Sequence, residues 1–152
     1  MNDFKDSSNY FLPNSISTLF IAESPPGNGS FFFFNFAKQE ILLTSLTTAL
    51  FGDGNGFDKT KDKVEFLKKF KDQGYFLTDA VSFPIAHLTN NKREKVIEKE
   101  YLNLQKTLNK LIESSKFSKK MSKIILIKET VYNIMNKIFI IIISRKNNFF
   151  LI

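Results

Sequence analysis

Apolar and polar positions alternate along this chain in blocks. Thr18 to Ala22 is a short apolar run cut off by Glu23-Ser24-Pro25-Pro26, which predicts a buried strand with a loop at its C-terminal end. Beyond the loop, Asn35 can cap a helix running to about Phe51. Its predicted buried face is Leu42, Leu46, Ala49 and Leu50, and Gly52 suits the position just past its end. Thr60 opens a second helix with Val64, Leu67 and Phe70 inward, stopped by Gly74. Tyr75 to Phe83 reads as a strand buried on both faces, interrupted by Asp79 and ended by Pro84. Asn90 or Asn91 caps the longest helix, to about Ser114, whose stripe Ile97, Tyr101, Leu104, Leu108, Leu111 steps by four and three. Lys123 to Ile127 predicts a third strand, Glu129 to Lys137 a short helix, and Ile138 to Ile143 a fourth strand.

Strands alternating with helices predict an α/β fold: a three-layer α/β/α sandwich around a parallel sheet of about four strands. Residues 1–14 are polar and predict a flexible segment, with Tyr10-Phe11-Leu12 available to dock on the body. Residues 15–152 predict a single α/β domain, since 152 residues suffice for one real core.

Composition narrows the chemistry. Without cysteine there is neither a disulfide nor a thiolate metal site, and one histidine, His87, excludes a multi-histidine site. The expected metal and cofactor complement is therefore none. Asp53-Gly54-Asn55-Gly56 resembles a calcium loop only superficially, lacking the remaining ligands and the terminal glutamate. Charge is uneven: residues 1–58 hold two lysines against six acids, and the rest carries the basic excess behind the overall +7. A basic half suits a polyanion such as nucleic acid, and equally suits lysine-rich solvated helix faces. Ile138 to Ile143 is far shorter than a membrane span, and MNDFKDSSNY has no secretory pattern, so the expectation is an intracellular monomer without a membrane partner.

Several residues stand where chemistry is expected. Ligands of open α/β sheets bind beyond the C-terminal ends of strands, where Glu23, Ser24, Pro25, Pro26 and Gly27 lie. Prolines fix such a loop and glycine admits close backbone approach. The alternative is an ordinary Ser-Pro turn with Glu23 capping backbone. Phe31 to Phe34 cannot all face one core, and Phe33, with Phe32 next, is the ring placed to stack on a base, although at least two of the four are expected in the core. Asp79 lies among apolar residues, where a carboxylate is costly unless paired. His87 is expected to face solvent.

The stretch FIAESPPGNGSFFF resembles the first motif of the uracil-DNA glycosylase superfamily, a strand running into a short acid-or-amide/Pro loop with a later aromatic. GYFLTDAVSFPI, at Gly74 to Ile85, resembles that superfamily's next core strand and its loop. The resemblance rests on these two stretches. It implies N-glycosidic hydrolysis of a base flipped out of DNA, in DNA repair, with Glu23 and Ser24 catalytic, Phe33 and Asp79 holding the base, and Pro25 to Gly27 supplying loop backbone. It also implies that the Glu23 loop and the Phe83-Pro84 loop lie side by side at one sheet edge. Two departures accompany it. Ser24 stands where an anionic residue often orients the attacking water, and Asp79 where an asparagine often reads the base, so uracil itself is in question. SRKNNFFLI at the chain's end contains no His-Pro-Ser type segment, so a truncated or degenerate member is implied. Two other functions fit the same residues: an inactive remnant that binds nucleic acid or serves as an interaction module, and a small-ligand-binding α/β domain.

Overall fold

A computed structural model of the chain describes residues 8–27, 32–33, 41–52, 63–114, 116 and 123–145, with side chains through residue 137. The fold is mixed α/β. In chain order the elements are β1 (Thr18–Ala22), α1 (Ile41–Phe51), α2 (Lys63–Asp72), β2 (Tyr75–Asp79), α3 (Asn90–Glu113), β3 (Lys123–Leu126) and α4 (Glu129–Arg145). The three strands form an open sheet in the order β2-β1-β3, and both pairings are parallel. Thr18 stands opposite Tyr75 and Lys123, and Ala22 opposite Asp79. The crossovers therefore bring the C-terminal ends of all three strands to one edge.

β1 is central because it alone is apolar throughout. All five of its residues are buried, and since successive side chains face opposite ways, both faces of the sheet are covered there. Phe20 meets Phe70 of α2 with ring centroids 5.5 Å apart, which seats α2 against the sheet. Phe66, Phe70 and Phe32 extend this into one aromatic cluster. Burying one such ring stabilises the fold by roughly 1.5–3 kcal/mol. α3 packs against α4. Its stripe behaves as predicted: Ile97, Leu104 and Leu111 are buried, Tyr101 and Leu108 half-buried. Burial also pushes the Tyr101 phenol above its ordinary value.

The N-terminal segment is tied down from residue 8. Phe11 is buried, Lys71 Nζ donates to the Tyr10 carbonyl at 2.6 Å and lies over the Tyr10 ring, and the Ile16 N–H donates to the Lys116 carbonyl at 2.5 Å.

Several expectations change. The run Ile138 to Ile143 is not a fourth strand; its backbone continues α4, which runs from Glu129 to Arg145. No glycine or proline separates Lys137 from Ile138, and Val131, Ile134 and Met135 already carry a helical period that the run can prolong. The described residues thus contain three strands. β2 ends at Asp79 rather than Phe83, though Ala80 and Val81 still donate to the carbonyls of Ala22 and Glu23 at 2.7 and 3.1 Å. In α1 the buried residues are Leu43, Leu46 and Thr47, with Ala49 exposed, so the inward face is rotated from the predicted one. In α2, Phe66 and Lys63 join Leu67 and Phe70 inside, and Val64 is only half-buried. α3 has Thr89, not an asparagine, as its N-cap residue. The caps at Asn35 and Thr60 and the Asp53 to Gly56 loop lie outside the described residues.

Two glycines end helices as expected. Gly52 (φ 74°) follows α1 and donates to the Thr48 carbonyl at 3.1 Å, and Gly74 (φ 72°) follows α2 and donates to the Lys71 carbonyl at 2.9 Å. Gly74 is also crowded, since a Cβ there would stand 2.9 Å from both the Ser15 carbonyl oxygen and Ser17 Oγ.

Candidate functional site

The two loops that carry the sequence motifs do lie together. Ala22 and Asp79 are paired at the ends of β1 and β2, and the chains leaving them stay in contact. The Ile85 N–H donates to Ser24 Oγ at 3.4 Å, and a Cβ on Gly27 would sit 3.8 Å from Pro84 Cβ. Pro25 is buried, Pro26 half-buried and Gly27 exposed, so the rigid half of the loop packs down and its glycine faces outward.

Glu23 dominates the site, and its surroundings differ from those of a free general base. Its side chain is only 6% exposed. Thr130 Oγ1 donates to Oε1 at 2.5 Å, Lys128 Nζ pairs with Oε2, and Arg93 Nη1 lies 3.7 Å from Oε2. A carboxylate taken from water is tolerated when charge and hydrogen bonds replace its hydration, and here both do. The three partners come from α3, from the residue after β3 and from the first turn of α4, so Glu23 fastens these elements to the end of β1. Arg93 also donates from Nη2 to the Ala86 carbonyl, which connects Glu23 to the segment that carries Ile85. Its Nε is buried and has no hydrogen-bond partner among the described residues.

Lys128 reaches Glu23 from an unusual backbone. Its φ is 93°, the only positive value at a non-glycine residue among those described. A bulky side chain there costs of order 1–3 kcal/mol, which the surrounding structure must offset. The Ile127 N–H donates to the Ile21 carbonyl at 2.9 Å, holding β3 in register up to the turn, and the Tyr132 N–H donates to the Lys128 carbonyl at 3.1 Å, starting α4. Lys128 is thus pinned between a strand and a helix with its amine toward Glu23, and its side chain remains 45% exposed.

The remaining predicted residues separate into two groups. Ser24 is half-buried with its hydroxyl engaged by Ile85, and Asp79 is half-buried at the strand end beside it. Both belong to the mouth. Phe33 does not: it is 2% exposed, with Phe11 and Phe76 stacked near-parallel on it at 6.0 and 5.3 Å. Its ring faces are already occupied, so it serves the core rather than a flipped base. Phe32 is likewise buried, edge-on to Phe33, while Phe31 and Phe34 lie outside the described residues. His87 is exposed, as expected.

Lys128, Arg93 and Thr130 are functional candidates that the sequence reading missed. A signal was present: Ile124 to Ile127 is an apolar run that ends in Lys128-Glu129-Thr130, much as β1 ends in Glu23-Ser24. Arg93 carries no such signal, since nothing local distinguishes it from the lysines around it.

No protein-family model, curated protein or solved structure matches this chain. No helix among the described residues is long and apolar enough to cross a membrane.

Proposed function

We propose that this chain is a divergent uracil-DNA glycosylase-like domain that receives a base flipped out of DNA at the mouth between residues 23–27 and 79–85. The observation that supports the reading most is the contact between the two motif loops at the C-terminal edge of the sheet, with Ser24 Oγ accepting from the Ile85 N–H. Ligands of open α/β sheets bind at such an edge. On this reading Ser24 and Asp79 face the incoming nucleotide, Pro25 to Gly27 supply the loop backbone, and the three-layer arrangement of that superfamily belongs to the proposal. Glu23 holds the site together rather than facing the sugar, because Thr130, Lys128 and Arg93 surround its carboxylate.

The buried Glu23 and Phe33 favour a second reading, in which the domain binds nucleic acid without cleaving it. The same experiment separates the two. Single-turnover release of uracil is measured on single- and double-stranded oligonucleotides, beside binding to single-stranded DNA across a salt series. We expect slow release or none, since positioned acid-base help is typically worth about 10²–10⁴-fold and Ser24 offers no anionic base. We expect binding whose log affinity falls linearly with log salt, by about 0.7 per phosphate neutralised. Release lost in Asp79→Asn makes the domain an enzyme. Binding without release makes it a binding module. Neither binding nor release at low salt removes the nucleic-acid reading altogether.

A further inference from the structure

The pairing of Lys128 with Glu23 has the form of an activated nucleophile. An amine lies within hydrogen-bonding reach of a buried carboxylate, and other groups orient that carboxylate: Thr130 at Oε1 and Arg93 beside Oε2. A nucleophile, a base and an orienter in this relation are the signature of covalent catalysis, and lysine serves it by forming Schiff bases with carbonyl compounds. Three further observations distinguish Lys128 from a lysine that only neutralises a buried acid. It lies at the sheet edge where ligands of this architecture bind. Its side chain is 45% exposed, so a small carbonyl group can reach the amine. Its backbone holds a φ of 93° that a glycine would adopt freely, and strained residues of this kind concentrate at functional sites. Arg93 lies 3.7 Å from Oε2, beyond hydrogen-bonding distance, so that oxygen can accept a proton from the amine.

We propose that Lys128 is a Schiff-base lysine that attacks an aldehyde. The amine passes one proton to Glu23 Oε2, and its lone pair forms a bond from Nζ to the carbonyl carbon. The carbonyl oxygen then leaves as water, taking the proton returned by Glu23 and the second proton of the amine. An imine between Nζ and that carbon remains, and no oxidant or reductant is consumed. The identity of the aldehyde rests on the glycosylase-like reading: it is C1′ of the ring-opened sugar at an abasic site, the product that base removal leaves in DNA. The domain would then act on the step after base loss, whichever protein removed the base.

Borohydride reduces an imine to a stable amine, so the adduct can be trapped and mapped. The purified full chain is incubated with borohydride and an oligonucleotide carrying one abasic site, and in parallel with glycolaldehyde. We expect a cross-link to the oligonucleotide that maps to Lys128. The yield should fall at least tenfold in Lys128→Arg, which keeps the cation beside Glu23 but cannot form an imine. Glu23→Gln should slow trapping without moving the adduct elsewhere. If Lys128→Arg does not fold, Lys128→Gly serves instead, since its backbone suits that φ. Labelling of Lys128 by glycolaldehyde but not by the abasic oligonucleotide supports the Schiff-base lysine and removes the DNA reading. Adducts spread over surface lysines and unchanged in Lys128→Arg, or no adduct with either aldehyde, overturn the proposal.

Discussion

Thr130 Oγ1 donates a 2.5 Å hydrogen bond to Glu23 Oε1, joining the end of the central strand to the first turn of α4 across 107 positions of sequence. Both residues are buried, so neither can exchange this contact for water. The bond explains how a carboxylate survives inside the sheet edge, and it makes Thr130 as much a part of the site as Glu23.

Replacing Thr130 by Val keeps the shape and removes the donor. Leaving a buried acceptor without its partner costs roughly 1–3 kcal/mol, more when it is charged. We expect Thr130→Val to lower stability by at least that range in denaturant unfolding, with an unchanged m-value. A change below about 0.5 kcal/mol would mean that water or another donor takes its place.

Glu23 itself should be more sensitive. Removing one partner of a buried ion pair typically costs about 3–5 kcal/mol, because the remaining charge is left without compensation. Arg93 is the buried cation here, and Lys128 can turn to solvent. We therefore expect Glu23→Leu to be strongly destabilising and the additional substitution Arg93→Met to recover part of the loss. A double variant no more stable than Glu23→Leu would show that Arg93 is indifferent to the carboxylate.

Gly74 and Gly52 share a positive φ but not their surroundings. Gly74→Ala meets Ser15 and Ser17 at 2.9 Å, whereas a Cβ on Gly52 meets nothing within 4 Å. Backbone strain alone is of order 1–3 kcal/mol and applies to both. Gly74→Ala should therefore lose distinctly more stability than Gly52→Ala in thermal unfolding; equal losses would mean that the segment at 15–17 yields without cost.

Phe33 tests the assignment of the aromatic run. As a core ring between Phe11 and Phe76, its truncation to Ala should cost about 3–5 kcal/mol. Phe33→Leu, a milder change that preserves the fold, should leave affinity for single-stranded DNA unaltered. A fold-preserving Phe33→Leu that weakens DNA binding tenfold would return the ring to the binding surface.

Much of the chain's organisation follows from local pattern. The strand at 18–22, the long helix with its Ile97, Leu104 and Leu111 stripe, and the helix-ending Gly52 and Gly74 are each legible in the sequence, because periodicity and glycine conformation act over a few residues. The side-by-side motif loops were also legible, through two strand-plus-loop stretches. Tertiary structure decided the rest. Ile138 to Ile143 has no alternation that separates strand from helix, so the helix already begun at Glu129 settled it. Which phenylalanine of four turns inward depends on Phe11 and Phe76, which arrive from distant segments. The environment of Glu23 is the clearest case: Arg93, Lys128 and Thr130 surround its carboxylate only because two parallel crossovers return the chain to one sheet edge, and no local pattern encodes a contact made by that return.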